Sequence, residues 1–195
     1  MDVVFAEHPK IYLETERLLL RGWAADDLEL FATLNADPRV MEHFPETLRR
    51  DKSDEYAENF QRAIDSNGFG YFAIARKLDA QFIGYVGISK VIFDAEFTPA
   101  MEIAWRLGFD FWGKGLATEA AKASLDFGFS ELELEEILFF TTPENARSIA
   151  VMKRLGFTRD VDGDFDHPRV PVGHRLRPHI LHRLQKPRGT SRGFE

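Results

Sequence analysis

The chain has 195 residues and a mass of 22.4 kDa, a length that fits one domain. Hydrophobic residues make up 44% of it and charged residues 29%, so a sizeable core can form and global disorder is excluded. The 32 acidic residues outnumber the 25 basic ones, and the net charge of −7 argues against nucleic acids and anionic membranes as partners. Because cysteine is absent, disulfides, thiolate metal sites and cysteine nucleophiles are excluded as well.

The hydropathy pattern contains no recognisable membrane or export segment. No apolar run approaches the ~18 residues of a membrane-spanning helix, and the acidic start Met1-Asp2 is unlike a secretory signal. We therefore expect a cytoplasmic protein. One domain is predicted at 13–185, between an N-terminal extension at 1–12 and a flexible polar tail at 186–195.

The hydrophobic pattern switches repeatedly between periods of about 2 and 3.6 residues, which is typical of a mixed α/β chain. A strand is predicted at 15–22, and a helix with the apolar stripe Leu28, Phe31 and Leu34 follows and ends before Pro38. The later predicted elements are a helix at 53–66, strands at 68–75, 82–88 and 102–107, a helix at 115–129, a strand at 136–142, a helix at 145–155, and strands near 157–161 and 174–184. This order of elements predicts a single mixed α+β domain.

A glycine-rich turn, Trp112-Gly113-Lys114-Gly115-Leu116-Ala117-Thr118, separates a predicted strand from a predicted helix. Glycines let the backbone turn tightly and approach a ligand, and the free amides and dipole of the first helical turn attract anions. The segment is therefore a candidate diphosphate site; the alternative is that its glycines only turn the chain. A nucleoside-triphosphate loop is disfavoured, because Gly115 stands where such loops need a Ser or Thr for magnesium.

Three motifs in order resemble the GNAT acetyltransferase superfamily, and within it the branch of ribosomal-protein N-terminal acetyltransferases. They are Thr15-Glu16-Arg17-Leu18-Leu19-Leu20-Arg21, then Trp112-Gly113-Lys114-Gly115 with Ala117-Thr118-Glu119-Ala120, then Asn145-Ala146-Arg147-Ser148 with Lys153-Arg154-Leu155-Gly156-Phe157. Trp112 departs from the Arg or Gln of the general pattern. The resemblance implies the GNAT fold, a mostly antiparallel sheet of about six or seven strands that is splayed between its fourth and fifth strands and flanked by helices.

The resemblance also implies acetyl-CoA as co-substrate, held in the opening between the strands at 101–107 and 135–142. The backbone near Leu107 would pair with the pantetheine arm, the amides of 113–118 would hold the pyrophosphate, and Lys114 would add charge. The implied cofactor-binding residues are Leu107, Trp112, Gly113, Lys114, Gly115, Leu116, Ala117, Thr118 and Asn145.

Glu102 is the candidate general base, since the resemblance places a glutamate at the start of this strand. An α-amine, with a pKa of about 8, loses its proton more easily than a lysine side chain at about 10.4, and partial burial would raise the carboxyl pKa toward a useful range. Two alternatives remain open. Glu102 can instead form an ion pair with an arginine of a neighbouring strand, or catalysis can run through a water chain with no dedicated base.

Asn145 and Ser148 open the next predicted helix. Asn145 is a preferred N-cap, and the resemblance adds a contact with the pantetheine or thioester. No tyrosine occurs in 148–152, so the general acid of many family members is missing, and Ser148 is the polar group available to protonate or position the leaving thiolate. The alternative for Ser148 is an ordinary helix-start serine.

The histidines of the C-terminal region do not indicate a metal site. Four of the six lie at 167–182, but their spacing matches no zinc motif, so no metal is expected. His167 is a candidate for the acceptor pocket or a proton relay; a hydrogen-bonded loop histidine is the alternative.

The acceptor is predicted only as an amine. The segment 26–65 carries eleven acidic residues against five basic ones, so an acidic rim would favour a cationic amine, unless these are ordinary solvent-facing acids. A protein N-terminus, a polyamine, an amino acid and an aminoglycoside all stay open, and so does the assembly state, a homodimer included.

The predicted activity is acetyl transfer from acetyl-CoA to a primary amine by direct attack in a ternary complex, because the usual cysteine nucleophile of an acyl-enzyme is absent. The alternatives are a catalytically silent acyl-CoA-binding module and a nucleic-acid binder built on 169–192, which the net charge disfavours.

Overall fold

A computed structural model describes residue 3 and residues 5–187. Eight strands, four α-helices and one short 3-10 helix (Phe109–Phe111) occur along this part of the chain. In order the strands and α-helices are β1 (Ile11–Glu14), β2 (Leu18–Arg21), α1 (Asp27–Ala36), α2 (Arg50–Asn67), β3 (Tyr71–Arg76), β4 (Phe82–Lys90), β5 (Met101–Leu107), α3 (Leu116–Ser130), β6 (Glu136–Thr141), α4 (Ala146–Arg154), β7 (Thr158–Asp166) and β8 (Pro178–Gln185). No helix in the described ranges is long and apolar enough to cross a bilayer.

All eight strands form one sheet in the order β1-β2-β3-β4-β5-β6-β8-β7. Every neighbouring pair is antiparallel except β5 and β6, which run parallel. Strands β4 and β5 pair along seven positions, whereas β5 and β6 pair only at Glu102 and Leu138. Beyond that position the two strands diverge, so the sheet opens in its middle.

The two faces of the sheet bury different side chains. On the face covered by α1 and α2, aromatic rings pack around Trp23, whose centroid lies 4.8 Å from that of Phe31 and 5.5 Å from that of Phe82. On the opposite face α3 packs so closely that a Cβ at Gly128 would lie 2.5 Å from Ile88 and 2.9 Å from Ile137. We call the face covered by α1 and α2 the front face and the face covered by α3 the back face. Large aromatic and β-branched residues therefore stabilise both layers.

The element order agrees with the sequence prediction, but the strand count is wrong by at least one. Eight strands are present rather than six or seven, because the short edge strand β1 was not predicted. Four residues with a bulge between Ile11 and Leu13 are too few to show a clear period of two. With β1 counted, the opening lies between the fifth and sixth strands rather than the fourth and fifth.

Several predicted boundaries also shift. Helix α2 begins at Arg50 rather than 53, because charged pairs such as Arg50 with Asp54 extend its first turn. Strand β7 runs on to Asp166, and β8 begins at Pro178 rather than 174, with a loop between them. The first residues of β1 fall within the predicted extension at 1–12, and positions 188–195 of the predicted tail lie outside the described residues.

Close approach of β3 to β4 depends on Gly87. A Cβ at this position would lie 1.8 Å from the carbonyl oxygen of Gly70, which is backbone that cannot rotate away. We expect Gly87→Ala to lower the free energy of unfolding by about 1–3 kcal/mol and Tm by several degrees, measured by urea and thermal unfolding. Gly108→Ala is the control, because its Cβ would meet the Phe111 ring at 3.3 Å and the Ile83 carbonyl oxygen at an ordinary 3.9 Å, and its φ of −56° suits any residue. Equal losses in the two variants would contradict this account.

Candidate active site

The divergence of β5 and β6 opens a cleft of about 1990 Å³. Its walls come from β5, from the start of α3 and from the start of α4, and from the loops that follow α1 and β7. Ten of the residues predicted from sequence line this one cleft: Glu102, Leu107, Trp112, Gly113, Gly115, Leu116, Ala117, Thr118, Asn145 and Ser148. The tertiary structure therefore brings together the candidate base, the glycine turn and the α4 start. Lys114 does not line the cleft.

The glycine turn has the backbone that an anion site requires. Gly113 and Gly115 have φ values of +73° and +76°, a region that other residues enter only with strain. No heavy atom lies within 4 Å of a Cβ placed on Gly113, so the space above it is open. The first helical hydrogen bond of α3 runs from the Glu119 amide to the Gly115 carbonyl at 3.0 Å, which leaves the amides of 116–118 pointing outward.

A set of polar contacts fixes this turn to the N-terminal strands. The Glu119 carboxylate accepts hydrogen bonds from the Thr15 hydroxyl at 2.6 Å and from the Arg17 amide at 2.9 Å, and it pairs with the Arg17 guanidinium. Arg17 Nη1 also donates to the Lys114 carbonyl at 3.0 Å. The first two sequence motifs are therefore in contact, and what the structure shows for Lys114 is a backbone contact that holds the turn in place.

Trp112 ties the turn to the end of β5. Its Nε1 donates to the Leu107 carbonyl at 2.9 Å, and the Arg147 guanidinium lies 4.4 Å from its ring centroid. One lone pair of the Leu107 carbonyl is thus already used within the protein. Trp112 is half-buried and acts here as a brace between β5, the turn and α4.

The cleft beside the turn suits a polyanionic ligand. Lys122, Arg147 and Arg154 line it from α3 and α4, with Lys122 paired to Asp126 and Arg147 to Glu42, and the outward amides and dipole of the α3 N-terminus add partial positive charge. These groups, with the open space at Gly113, fit a diphosphate. No group of three metal-ligating side chains occurs within the described ranges.

Glu102 lies at the point where β5 and β6 last pair, on the front face of the sheet. Burial raises the pKa of its carboxyl from 4.5 to about 7, while the Tyr71 hydroxyl and the nearby charge of Arg169 oppose that shift. Tyr71 donates to Glu102 Oε1 at 3.3 Å. The side chain stays partly open to the cleft although the protein surrounds its carboxyl on most sides. The alternative of an arginine ion pair fails, because no salt bridge to Glu102 occurs in the described part of the chain.

Asn145 caps α4, as its position predicted. Its Oδ1 accepts from the Ser148 amide at 3.2 Å, and its Nδ2 donates to the Thr141 hydroxyl at 2.9 Å. One Nδ2 hydrogen remains available toward the cleft. The Ser148 side chain is half-buried at the cleft wall. These contacts hold the start of α4 against the end of β6, across the opening from β5.

Three histidines of the C-terminal region line the cleft, His167, His174 and His179, and the first and last of them are neutral rings near neutral pH. Burial, with the charge of Arg169 and the neighbouring His179, lowers the pKa of His167 to about 4, and burial also lowers the pKa of His179. The Arg169 amide donates to His167 Nδ1 at 3.2 Å. His179 Nδ1 lies 3.1 Å from the Arg177 carbonyl, which can only accept, so this nitrogen carries the proton and Nε2 keeps a lone pair.

Sequence reasoning missed several cleft residues. Tyr71 is 31 positions from its partner Glu102, and Arg106 bonds Asn35 at a separation of 71 positions. Lys122 and Arg154 also line the cleft, and neither of them was assigned to the site from the sequence. Arg106 shares the front face with Glu102, and the strand alternation that places Ala104 on that face could have indicated this.

Comparison with known proteins identifies the family of these motifs. The sequence model of the acetyltransferase (GNAT) domain matches residues 17–158. N-acetyltransferase p20 of Bacillus licheniformis is 33% identical over 151 residues, which cover 76% of this chain and 83% of that protein. The ribosomal protein uS5-alanine N-acetyltransferase of Escherichia coli is 27% identical over 191 residues, covering 93% and 94%. The predicted resemblance to GNAT enzymes, including the ribosomal-protein branch, is confirmed.

Solved structures show the same fold. A GNAT-family acetyltransferase from Bacillus anthracis matches with a TM-score of 0.74 at 26% identity, covering 89% of this chain and 98% of that one. Spermidine N-acetyltransferase from Vibrio cholerae, solved with CoA and spermine, matches with a TM-score of 0.69 at 21% identity, covering 88% and 97%. The predicted GNAT fold is therefore confirmed.

The raised pKa of Glu102 makes its contribution to stability depend on pH. Above about pH 7 the surrounded carboxylate is charged and destabilises the folded chain; below about pH 4.5 it is protonated in both states and that penalty is gone. We expect Glu102→Gln to be more stable than the parent at about pH 8, and this advantage to shrink toward about pH 5, measured by urea unfolding. The exposed Glu46→Gln is the control. A pH-independent difference for Glu102→Gln would rule out the raised pKa.

Proposed function

The chain belongs to the GNAT acetyltransferase family, and from this we propose that it transfers an acetyl group from acetyl-CoA to a primary amine by direct attack in a ternary complex. The observation that carries the proposal is the placement of Glu102, the glycine turn and the α4 start around one cleft. Each of them supplies a different requirement of acyl transfer.

The glycine turn is the proposed pyrophosphate site. Amides of 113–118 would donate to the phosphate oxygens, with Lys122, Arg147 and Arg154 as cations along the same wall. The β5 edge that faces the opening has backbone groups available past Glu102, where pairing with β6 stops, and these suit the amides of the pantetheine arm. Bound acetyl-CoA supplies the acetyl group as an activated thioester.

Glu102 is the proposed general base. With a pKa of about 7, its carboxylate is both present at neutral pH and basic enough to accept the proton that an amine loses on acylation. Tyr71 orients the carboxyl through its hydroxyl and, with a pKa raised well above 10, stays protonated. Tyr71 is thus a positioning residue for the base.

Asn145 and Ser148 are proposed to act at the other wall of the cleft. The capped α4 start places the Ser148 hydroxyl and the remaining Nδ2 hydrogen of Asn145 near the opening. A serine hydroxyl is a weak acid, so we assign Ser148 to positioning or relaying a proton toward the leaving thiolate through water. The Asn145 amide would orient the thioester carbonyl.

A silent acyl-CoA-binding module is less well supported. Such a module needs the glycine turn, but it gains nothing from a buried carboxyl such as Glu102. Holding that carboxyl at a pKa near 7 lowers the stability of the folded chain at neutral pH. The nucleic-acid alternative is weakened, since Arg175, Arg177 and Arg183 of the segment 169–192 pair with acidic side chains.

Acetyl-CoA binding is tested by thermal melts. Ligand at about 100 times its Kd stabilises by about 2.7 kcal/mol, which should raise Tm by roughly 5–11 °C. We expect Gly115→Val to abolish this rise, because a β-branched residue is strained at a φ of +76° and would distort the cradle.

The matched control is Gly68→Val. Gly68 also has a positive φ, +79°, at a helix end, but it does not line the cleft. Both variants should lose stability through strain, and only Gly68→Val should keep the full rise with acetyl-CoA. A preserved rise in Gly115→Val would refute the cradle.

The base is tested by the pH dependence of kcat/KM for one fixed amine. The parent should gain activity through an apparent pKa near 7, and Glu102→Gln should lose that inflection and about 10²–10⁴ of the rate. Glu46→Gln, another acid of the cleft wall, should keep the inflection. An unchanged profile in Glu102→Gln would leave catalysis to a water chain.

A further inference from the structure

We propose that the acceptor is a primary amine that carries one aromatic ring and no second positive charge, with the ring seated in an aromatic cup beside Glu102. The cup consists of Phe93, Phe140, His167 and His179, all of which line the cleft. This inference rests on the proposed function and names the substrate class of that same site.

The cup rings pack as a cluster with one side open to the cleft. Phe93 lies 4.8 Å from His167 and 5.7 Å from Phe140 between ring centroids, and His167 lies 4.9 Å from His179. All four side chains are half-buried. A second layer, Phe97 and Phe165, packs behind them with its rings 5.0 Å apart and does not line the cleft.

The second layer supports the cup from behind. Phe165 lies 5.4 Å from Phe140 and 5.9 Å from Phe93. Phe165 lies in β7 and Phe97 in the loop between β4 and β5, so two separate segments of the chain support the cup. A ring entering it would meet the faces and edges of four aromatic side chains, which is the geometry that favours an aromatic guest.

The sheet register places the cup beside the candidate base. Glu102 pairs with Leu138, and Phe140 is two residues further on the same face of β6. Arg169 connects the two regions, because its amide donates to His167, its guanidinium donates to the Ile92 carbonyl at 3.4 Å, and its charge acts on Glu102. An amine at Glu102 with a ring on a short linker would therefore reach the cup.

The cup itself carries no charge near neutral pH. The pKa of His167 is lowered to about 4 and that of His179 is also lowered, so both rings are neutral. The cup therefore offers an uncharged aromatic surface and offers no carboxylate to a second ammonium group.

Apart from Glu102, two acids of the described residues line the cleft: Glu119, which pairs with Arg17, and Glu46. Of the eleven acids at 26–65 only Glu46 lines the cleft. Seven of the eleven pair with basic side chains: Asp27, Asp37, Glu42, Asp51, Asp54, Glu55 and Glu58. The predicted acidic rim is thus largely neutralised, whereas Lys90, Arg106 and Arg169 line the cleft as cations. A second ammonium group would be repelled.

The test compares kcat/KM for four amines by release of CoA from acetyl-CoA: phenethylamine, cyclohexylethylamine, ethylamine and spermidine. We expect kcat/KM for phenethylamine to exceed that for each of the other amines by at least about fivefold, which is within the range that one aromatic contact contributes. A tripeptide with N-terminal phenylalanine carries the same ring on a chain terminus, and its kcat/KM relative to phenethylamine distinguishes a protein acceptor from a free amine.

Two variants locate the ring. Phe93→Ala should lower the ratio of kcat/KM for phenethylamine to that for ethylamine by about fivefold or more. Phe127→Ala is the control: it removes a half-buried ring of α3 that lines neither the cleft nor the cup, and it should leave this ratio unchanged. A preference for spermidine, equal use of the phenyl and cyclohexyl amines, or an unchanged ratio in Phe93→Ala would overturn the proposal. Failure of the proposed function would look different: none of the amines would give CoA release from acetyl-CoA, and acetyl-CoA would not raise Tm.

Discussion

The parting of β5 from β6 is the constraint on which the rest of the site depends. Backbone pairing between the two strands occurs at Glu102 and Leu138, the Trp105 and Phe139 rings stack 4.5 Å apart across them, and β6 pairs with β8 on its other side. Past this position the facing edges of β5 and β6 have no strand partner, so their backbone groups are available to a ligand. The glycine turn and the α4 start follow directly from the ends of these two strands, and the opening is therefore bordered by both.

The same constraint determines the chemistry of Glu102. At this last pairing of the two strands the carboxyl of Glu102 is buried, with the Tyr71 hydroxyl of β3 beside it, while the residue still lines the cleft. Burial there raises the pKa to about 7, and the Tyr71 hydroxyl and the Arg169 charge keep it from rising further. The charged form destabilises the fold at neutral pH, a cost that the packed aromatic front face and the α3 interface offset. In the proposed role of Glu102 as general base, function and stability oppose each other at this one side chain.

Sequence reasoning succeeded where neighbours along the chain decide the structure. The Asn145 cap is made by a residue three positions away, the glycine turn needs only local freedom of φ, and the helix periods follow from amphipathic spacing. It failed where the signal was short or the partner distant. The edge strand β1 has too few residues for a period, and the Tyr71 hydroxyl that contacts Glu102 lies 31 positions away along the chain.

The sequence by itself determined the family, the order of elements, the glycine turn and the candidate residues Glu102, Asn145 and Ser148, because motifs and periodicity are local properties. Only the tertiary structure decided what surrounds them. Tyr71 reaches Glu102 across 31 positions, and His43 meets Thr142 across 99. Burial and the charge of neighbouring side chains set the pKa of Glu102, and the same fold decides which charged side chains line the cleft beside it. Both depend on which distant residues the fold brings within a few ångströms, which no local pattern encodes.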